Sequence, residues 1–229
     1  MSKYFRVDDE LVTGAVVGLD PHRFGAVLRV RAGDALVLCD RAGALFDAVV
    51  RDGLVAEIVG RAKAPERNPT SPLEVWLPLL KGGKSDDLVR QVTELGATRI
   101  VAFSSKNSVV QLEAKKAGER RERFTTIARE ACNQCGRTDV PEVAIVDGLP
   151  REGPGAFLWE VGGEPALKTL ATQSIARVLS GPEGGITTAE ADALVALGWI
   201  PMSLGARILR AETAVVSLVT LAQAARGQI

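Results

Sequence analysis

Along the first seventy residues the apolar positions gather in short runs, at 11–17, 35–39, 45–50 and 54–59, with Arg31-Ala32-Gly33-Asp34, Arg41-Ala42-Gly43 and Arg51-Asp52-Gly53 between them. Runs this short, separated by glycine-bearing polar turns, predict strands, and their close spacing predicts a small β-barrel. A short helix is expected over 21–29. The stretch 62–72 then holds three prolines in eleven residues. That is a linker composition, and it places a domain boundary between 1–68 and 72–229.

Beyond the linker, apolar runs alternate with longer helical patterns. Strands are expected over 73–80, 99–103, 142–146 and 176–179, helices over 85–95, 113–135 and 165–171, with a further apolar run at 156–161. In the second of these helices Phe124, Ile127, Ala128 and Ala131 stand at i, i+3, i+4 and i+7, and Gly136 suits its carboxyl cap. Such alternation argues an α/β domain with a largely parallel sheet covered on both faces. The last helix, 212–225, spreads Val215, Val216, Leu218, Val219 and Ala222 over more than one face. Burial on more than one side is expected of it, and a homodimer interface would supply that.

Two turns stand out against this pattern. Ser180-Gly181-Pro182-Glu183-Gly184-Gly185 and Ser203-Leu204-Gly205-Ala206-Arg207-Ile208-Leu209-Arg210-Ala211-Glu212-Thr213 each follow an apolar run and lead into a helix. Both are expected at the carboxyl edge of the sheet, where open α/β sheets bind ligands. The glycines let a ligand approach the main chain, and Pro182 stiffens the first turn. Thr187 and Glu190 form a capping box for the helix that follows. One glycine-rich turn is compatible with being only a turn; two, with Arg207, Arg210 and Glu212 in the second, point to a site.

Composition then narrows the classes. Lys plus Arg and Asp plus Glu both number 28, so no global field draws nucleic acid, and RNA binding would rest on local basic residues. No apolar stretch approaches the roughly 18 residues of a membrane span, residues 1–4 open no signal peptide, and a cytoplasmic protein is expected. Cys132-x-x-Cys135 with Cys39 and His22 would make a Cys3His zinc set, but the partners are remote and the pair sits in a helical pattern, so no metal is expected. Lys81-Gly82-Gly83-Lys84-Ser85 looks like the end of a phosphate-binding loop, yet Pro78 stands where its first glycine is needed. ATP or GTP binding is kept as a minor alternative.

The paired turns carry a resemblance. Gly-Pro-Glu-Gly-Gly at 181–185, followed by Leu-Gly-x-Arg-Ile-Leu-Arg-x-Glu-Thr-Ala at 204–214, resembles the RsmE family of ribosomal RNA methyltransferases in the SPOUT superfamily. Thr93-Glu94-Leu95-Gly96, the string Glu130-Ala131-x-x-Gln134-x-Gly136-Arg137 and Val140-Pro141-Glu142 match that family as well, whereas Gln91 and Ser180 depart from its usual lysine and apolar residue. The resemblance implies a SPOUT-type trefoil-knotted parallel-sheet domain preceded by a PUA-like β-barrel that docks RNA. It implies methyl transfer from S-adenosyl-L-methionine to N3 of a uridine in 16S ribosomal RNA of the small subunit, by a homodimer. A catalytically inactive RNA-binding ribosome-assembly factor of the same fold is the alternative.

On this reading the cofactor is held by Leu179, Gly181, Pro182, Glu183, Gly184 and Gly185 of the first turn and by Leu204, Gly205, Ile208, Leu209, Arg210, Thr213 and Ala214 of the second. Arg210 is the candidate for stabilising negative charge on the uracil, and Glu212 or Glu183 for orienting groups or accepting the N3 proton. The RNA contacts implied are Arg23, Arg29, Lys81, Lys84, Gln134, Arg137 and Arg207.

Overall fold

The computed structural model describes residues 4–63, 67–110 and 114–229. Residues 1–3, the middle of the proline-rich stretch at 64–66, and Glu113, the expected first residue of the long helix, lie outside them. Contacts divide the chain into two compact units, Met1–Asn68 with Cys132–Val140, and Pro69–Ala131 with Pro141–Ile229.

The first unit is built on five strands, β1 (Tyr4–Arg6), β2 (Val16–Gly18), β3 (Ala35–Cys39), β4 (Leu45–Arg51) and β5 (Val55–Arg61), in the order β1-β3-β4-β5-β2. β1 runs parallel to β3 and the other neighbours are antiparallel, with a bulge at Asp47/Ala48. The curled sheet closes over Leu11, Leu19, Phe24, Leu38, Phe46, Val50 and Ile58. The strand expected over 11–17 shrinks to its last residues because Gly14, at φ 86°, turns the chain, and Ala15 N–H bonds back to Val12 O. The short helix is a wide turn, Pro21–Val27, capped by the Asp20 carboxylate; Leu28 N–H reaches back to Arg23 O.

Residues 132–140, which the sequence reading leaves in the second domain, pack in this first unit. The Tyr4 hydroxyl donates to Cys132 O at 3.2 Å, and the Arg6 guanidinium donates to Thr138 O at 2.6 Å. Asn68 and Thr138 bond twice, side chain to hydroxyl at 2.7 Å and main-chain N–H to carbonyl oxygen of the amide at 2.8 Å.

The second unit holds β6 (Glu74–Pro78), β7 (Arg99–Ser104), β8 (Glu142–Asp147), β9 (Gly155–Leu158), β10 (Glu164–Pro165), β11 (Arg177–Leu179) and β12 (Trp199–Ser203). They form one sheet in the order β10-β12-β9-β11-β6-β7-β8, and every neighbouring pair is parallel. In β7 the run Ile100 to Phe103 is buried without alternation, as a strand covered on both faces requires. The helices are α1 (Lys84–Glu94), α2 (Ala114–Cys135), whose last residues join the first unit, α3 (Ala166–Thr172), α4 (Thr188–Ala196) and α5 (Ala211–Ala225).

Local chemistry sets where two of these helices start and stop. The capping box at α4 forms in both directions: Thr187 Oγ1 accepts from Glu190 N–H, and the Glu190 carboxylate accepts from Thr187 N–H at 2.9 Å. Gly136, at φ 87°, ends α2 with its N–H on Cys132 O. In α5 the buried positions Ala211, Val215, Leu218, Val219 and Ala222 make one stripe, facing α1, α3, β6 and β11. The apolar surplus expected on a second face is therefore smaller than its sequence implies: Val219 is fully buried within the chain's own core, and Val216 is only half-buried.

Candidate active site

Because β12, β9, β11 and β6 are consecutive in the sheet, the loops leaving their carboxyl ends meet at one edge. They wall a cavity of about 480 Å³. The turn after β11 contributes Ser180, Gly181, Pro182, Glu183 and Gly185; the loop after β12 contributes residues 203–210, and α5 adds Ala211, Glu212 and Ala214. Both glycine turns thus face one space, as their sequences suggested. Gly205, at φ 100°, has nothing beyond its chain neighbours within 4 Å of where a Cβ would lie, and Ile208 in the same loop is 88% exposed.

Three residues expected to touch a cofactor do not line this cavity. Leu179 is buried beneath it, in a cluster with Phe103, Phe157 and Ile186. Gly184 faces the other way. A Cβ there would come within 2.8 Å of Asn107 Cβ and 2.9 Å of Asn107 O, and Asn107 Nδ2 donates to Gly184 O at 2.9 Å, so the absent side chain lets the loop pack against Asn107. Thr213 sits exposed in the first turn of α5.

Other wall residues had no signal in the sequence. Leu158, Trp159 and Glu160 enter from the end of β9, between the two turns. They lie inside the apolar run at 156–161, which carries no charged-glycine motif like those of the two turns, and the strand order brings them there. Trp159 N–H donates to Met202 O at 2.9 Å, while its buried Nε1–H has no partner among the described residues.

Lys84, expected at RNA phosphates, lines the same cavity and pairs with Glu212, Nζ to Oε1 at 2.6 Å. The hydrogen bond from Lys84, reinforced by the main-chain N–H of Glu212 itself and by the charge of Arg210, holds the Glu212 carboxyl below the usual carboxylate range. Glu183, Arg207 and Arg210 are exposed at the rim.

The expected RNA contacts divide. Arg29, Lys81, Gln134 and Arg207 are exposed. Arg23 is half-buried, its guanidinium over the rings of Phe5 and Phe24 and donating to Arg6 O at 2.9 Å. Arg137, expected to be presented to RNA, is instead 2% exposed, and its Nε and Nη2 donate to the Asp139 carboxylate at 3.1 and 2.7 Å. The three cysteines are free thiols, and burial, the largest cause, pushes Cys132 up to about 12. Among the described residues no three of His, Cys, Asp and Glu gather as metal ligands.

A parallel sheet with its cavity walled by these loops matches a known class: residues 66–223 fit the family described as RNA methyltransferase domain. The ribosomal RNA small subunit methyltransferase E of Bacillus subtilis (strain 168) is 31% identical, over 90% of this chain and 88% of its own length. The protein of that name from Mycobacterium bovis is 31% identical over 92% and 87%. The crystal structure of ribosomal RNA small subunit methyltransferase E from Neisseria gonorrhoeae bound to S-adenosyl methionine superposes with a TM-score of 0.82 over 98% of both chains, at 27% identity. The chain belongs to the RNA methyltransferase domain family and, within it, to the ribosomal RNA small subunit methyltransferase E family.

Proposed function

We propose that the protein transfers a methyl group from S-adenosyl-L-methionine to N3 of a uridine in 16S ribosomal RNA of the small subunit. The observation that carries this reading is the single cavity walled by both glycine turns, in a chain of this family. Its volume of about 480 Å³ lies in the range of small-molecule sites. The open side at Gly205 and the unpartnered Trp159 Nε1–H fit a bound cofactor. Main-chain groups around Gly181, Gly185 and Gly205 would hold it, with Trp159 donating from its indole.

The bound sulfonium supplies an activated methyl group, so the chain has to orient the uracil, exclude water and manage the N3 proton. Arg210, on the rim, stabilises the uracil anion on this reading, and Glu183 stands nearby to take the proton. Arg29, Lys81, Gln134 and Arg207 meet RNA. Residues 1–68 act as a PUA-like RNA-docking domain. Residues 72–229 form a SPOUT-type trefoil knot, a reading supported by the strand order, in which late β11 lies between β9 and β6. Knots are otherwise essentially absent from folds. The functional form is a cytoplasmic homodimer, which sedimentation velocity tests.

Mass spectrometry decides the activity. 16S RNA from a strain lacking the gene should gain one methyl group on a uridine base when the purified protein and S-adenosylmethionine are added. No methylation, with no calorimetric binding of S-adenosylmethionine to folded protein, would leave the inactive assembly factor as the reading.

A further inference from the structure

We infer that Lys84 belongs to the reaction centre, where Glu212 holds its ammonium against the negative charge that the uracil acquires as N3 loses its proton, and that Glu212 is a positioning residue and not the proton acceptor. The inference rests on the uridine-N3 reading above. It moves Lys84 from the RNA backbone to the chemistry.

Lys84 is the first residue of α1, and its direction is set by the loop before it. Gly82 and Gly83 both take left-handed angles, φ 68° and 80°, which a side chain rarely tolerates. The Ser85 hydroxyl accepts from Leu80 N–H at 2.7 Å and donates to Leu80 O, bracing the return. At the start of α1, after the loop that leaves β6, the lysine therefore lines the cavity together with the turn after β11.

The charges around it assign the pair. On α1, Asp86 is engaged by Arg123 and Asp87 by Arg90. On α5, Glu212 takes Lys84 at 2.6 Å, with Arg210 at the helix start. Glu160, Glu183 and Arg207 complete the charged wall. Both α1 and α5 present their amino ends here, adding partial positive charge.

A carboxylate bound to an ammonium and held below its usual pKa is a weak base. The same pairing holds the ammonium in place within the cavity wall. In the reaction the N3–H bond breaks and its proton leaves to Glu183 or water. The N3 electron pair then forms the bond to the methyl carbon as the carbon–sulfur bond breaks toward sulfur. A fixed cation beside the ring makes the first of these steps easier at neutral pH.

The test uses full-length protein, small subunits from a strain lacking the gene, and labelled S-adenosylmethionine, with rates measured across a pH series. Lys84→Met should lower kcat about 100-fold, leave the calorimetric Kd for S-adenosylmethionine within about threefold, and displace the pH–rate profile to higher pH. Lys84→Arg should restore most of the rate. Glu212→Gln should cost about tenfold and move the profile the same way. If Lys84→Met does not fold, Lys84→Arg and Glu212→Gln carry the comparison.

Three results overturn the inference. One is an unmoved profile with a salt dependence of RNA binding flatter by about one phosphate contact, which returns Lys84 to the backbone. Another is complete loss in Glu212→Gln beside a near-normal Lys84→Met. Parent protein that methylates no uridine sinks the functional reading, and this inference with it.

Discussion

At the scale of the residue, two glycines of the paired turns sit in opposite surroundings. Gly205 borders open space, so Gly205→Val should weaken S-adenosylmethionine binding tenfold or more, about 1.4 kcal/mol. Its φ of 100° adds strain of about 1–3 kcal/mol in stability. Gly184→Val should do the reverse: it drives a side chain into Asn107, lowering Tm while leaving the affinity of the folded fraction near that of the parent. Calorimetry beside thermal melts checks both. The cysteines give a second residue-level expectation. Folded protein should react with a thiol reagent first at half-buried Cys135, with Cys39 and Cys132 protected until unfolding. The Cys132 thiol is raised from 9.0 to about 12, so the stability it contributes is whole below pH 9 and is lost as pH rises through about 12. Denaturant midpoints at pH 8 and pH 10.5 should fall in that order, and a flat comparison would remove Cys132 from the account.

At the scale of the element, caps and sheet order decide what a sequence reader can see. The capping box at Thr187 was legible because its partner is three residues away; Thr187→Ala should cost about 1 kcal/mol by chemical denaturation. The two glycine turns were legible for the same reason, each being a local pattern after an apolar run. Trp159 and Glu160 were not. Their place in the cavity follows from β9 lying between β12 and β11, and no local signal encodes strand order. Lys84 falls between these cases: its glycine loop is plain in the sequence, but its partner Glu212 opens a helix at the far end of the chain. Val219 is a case where the helix was legible but its packing partners were not. Its apolar neighbours looked like more than one face, yet α5 meets α1, α3 and two strands, which absorb the stripe. Gln223, buried on that side, donates to Leu95 O at 2.8 Å and ties α5 to the end of α1.

For the whole molecule, equal numbers of acidic and basic residues mean that RNA affinity has to come from a few exposed cations. Lys81→Ala should reduce the slope of log affinity against log salt by about 0.7–0.9, the share of one phosphate contact. A slope equal to that of the parent assigns Lys81 to the solvated surface. The polar motif around Arg137 was as legible as any in the chain. Its burial was not, because it depends on residues 132–140 packing with residues more than sixty positions upstream.

That discontinuity bears on how the protein can be cut. A unit made of two stretches separated in the chain is not released by cleavage at the proline-rich boundary, however exposed that boundary is. A fragment of residues 72–229 would strand Thr138 without Arg6 and Asn68 and leave Cys132 O without the Tyr4 hydroxyl. Expressed alone, it should show accelerated amide exchange and early proteolysis around 132–140, and recover protection when residues 1–68 are supplied in trans. A single cut introduced between 62 and 72 of the folded protein should leave the two pieces associated, since residues 132–140 stay packed with residues 1–68.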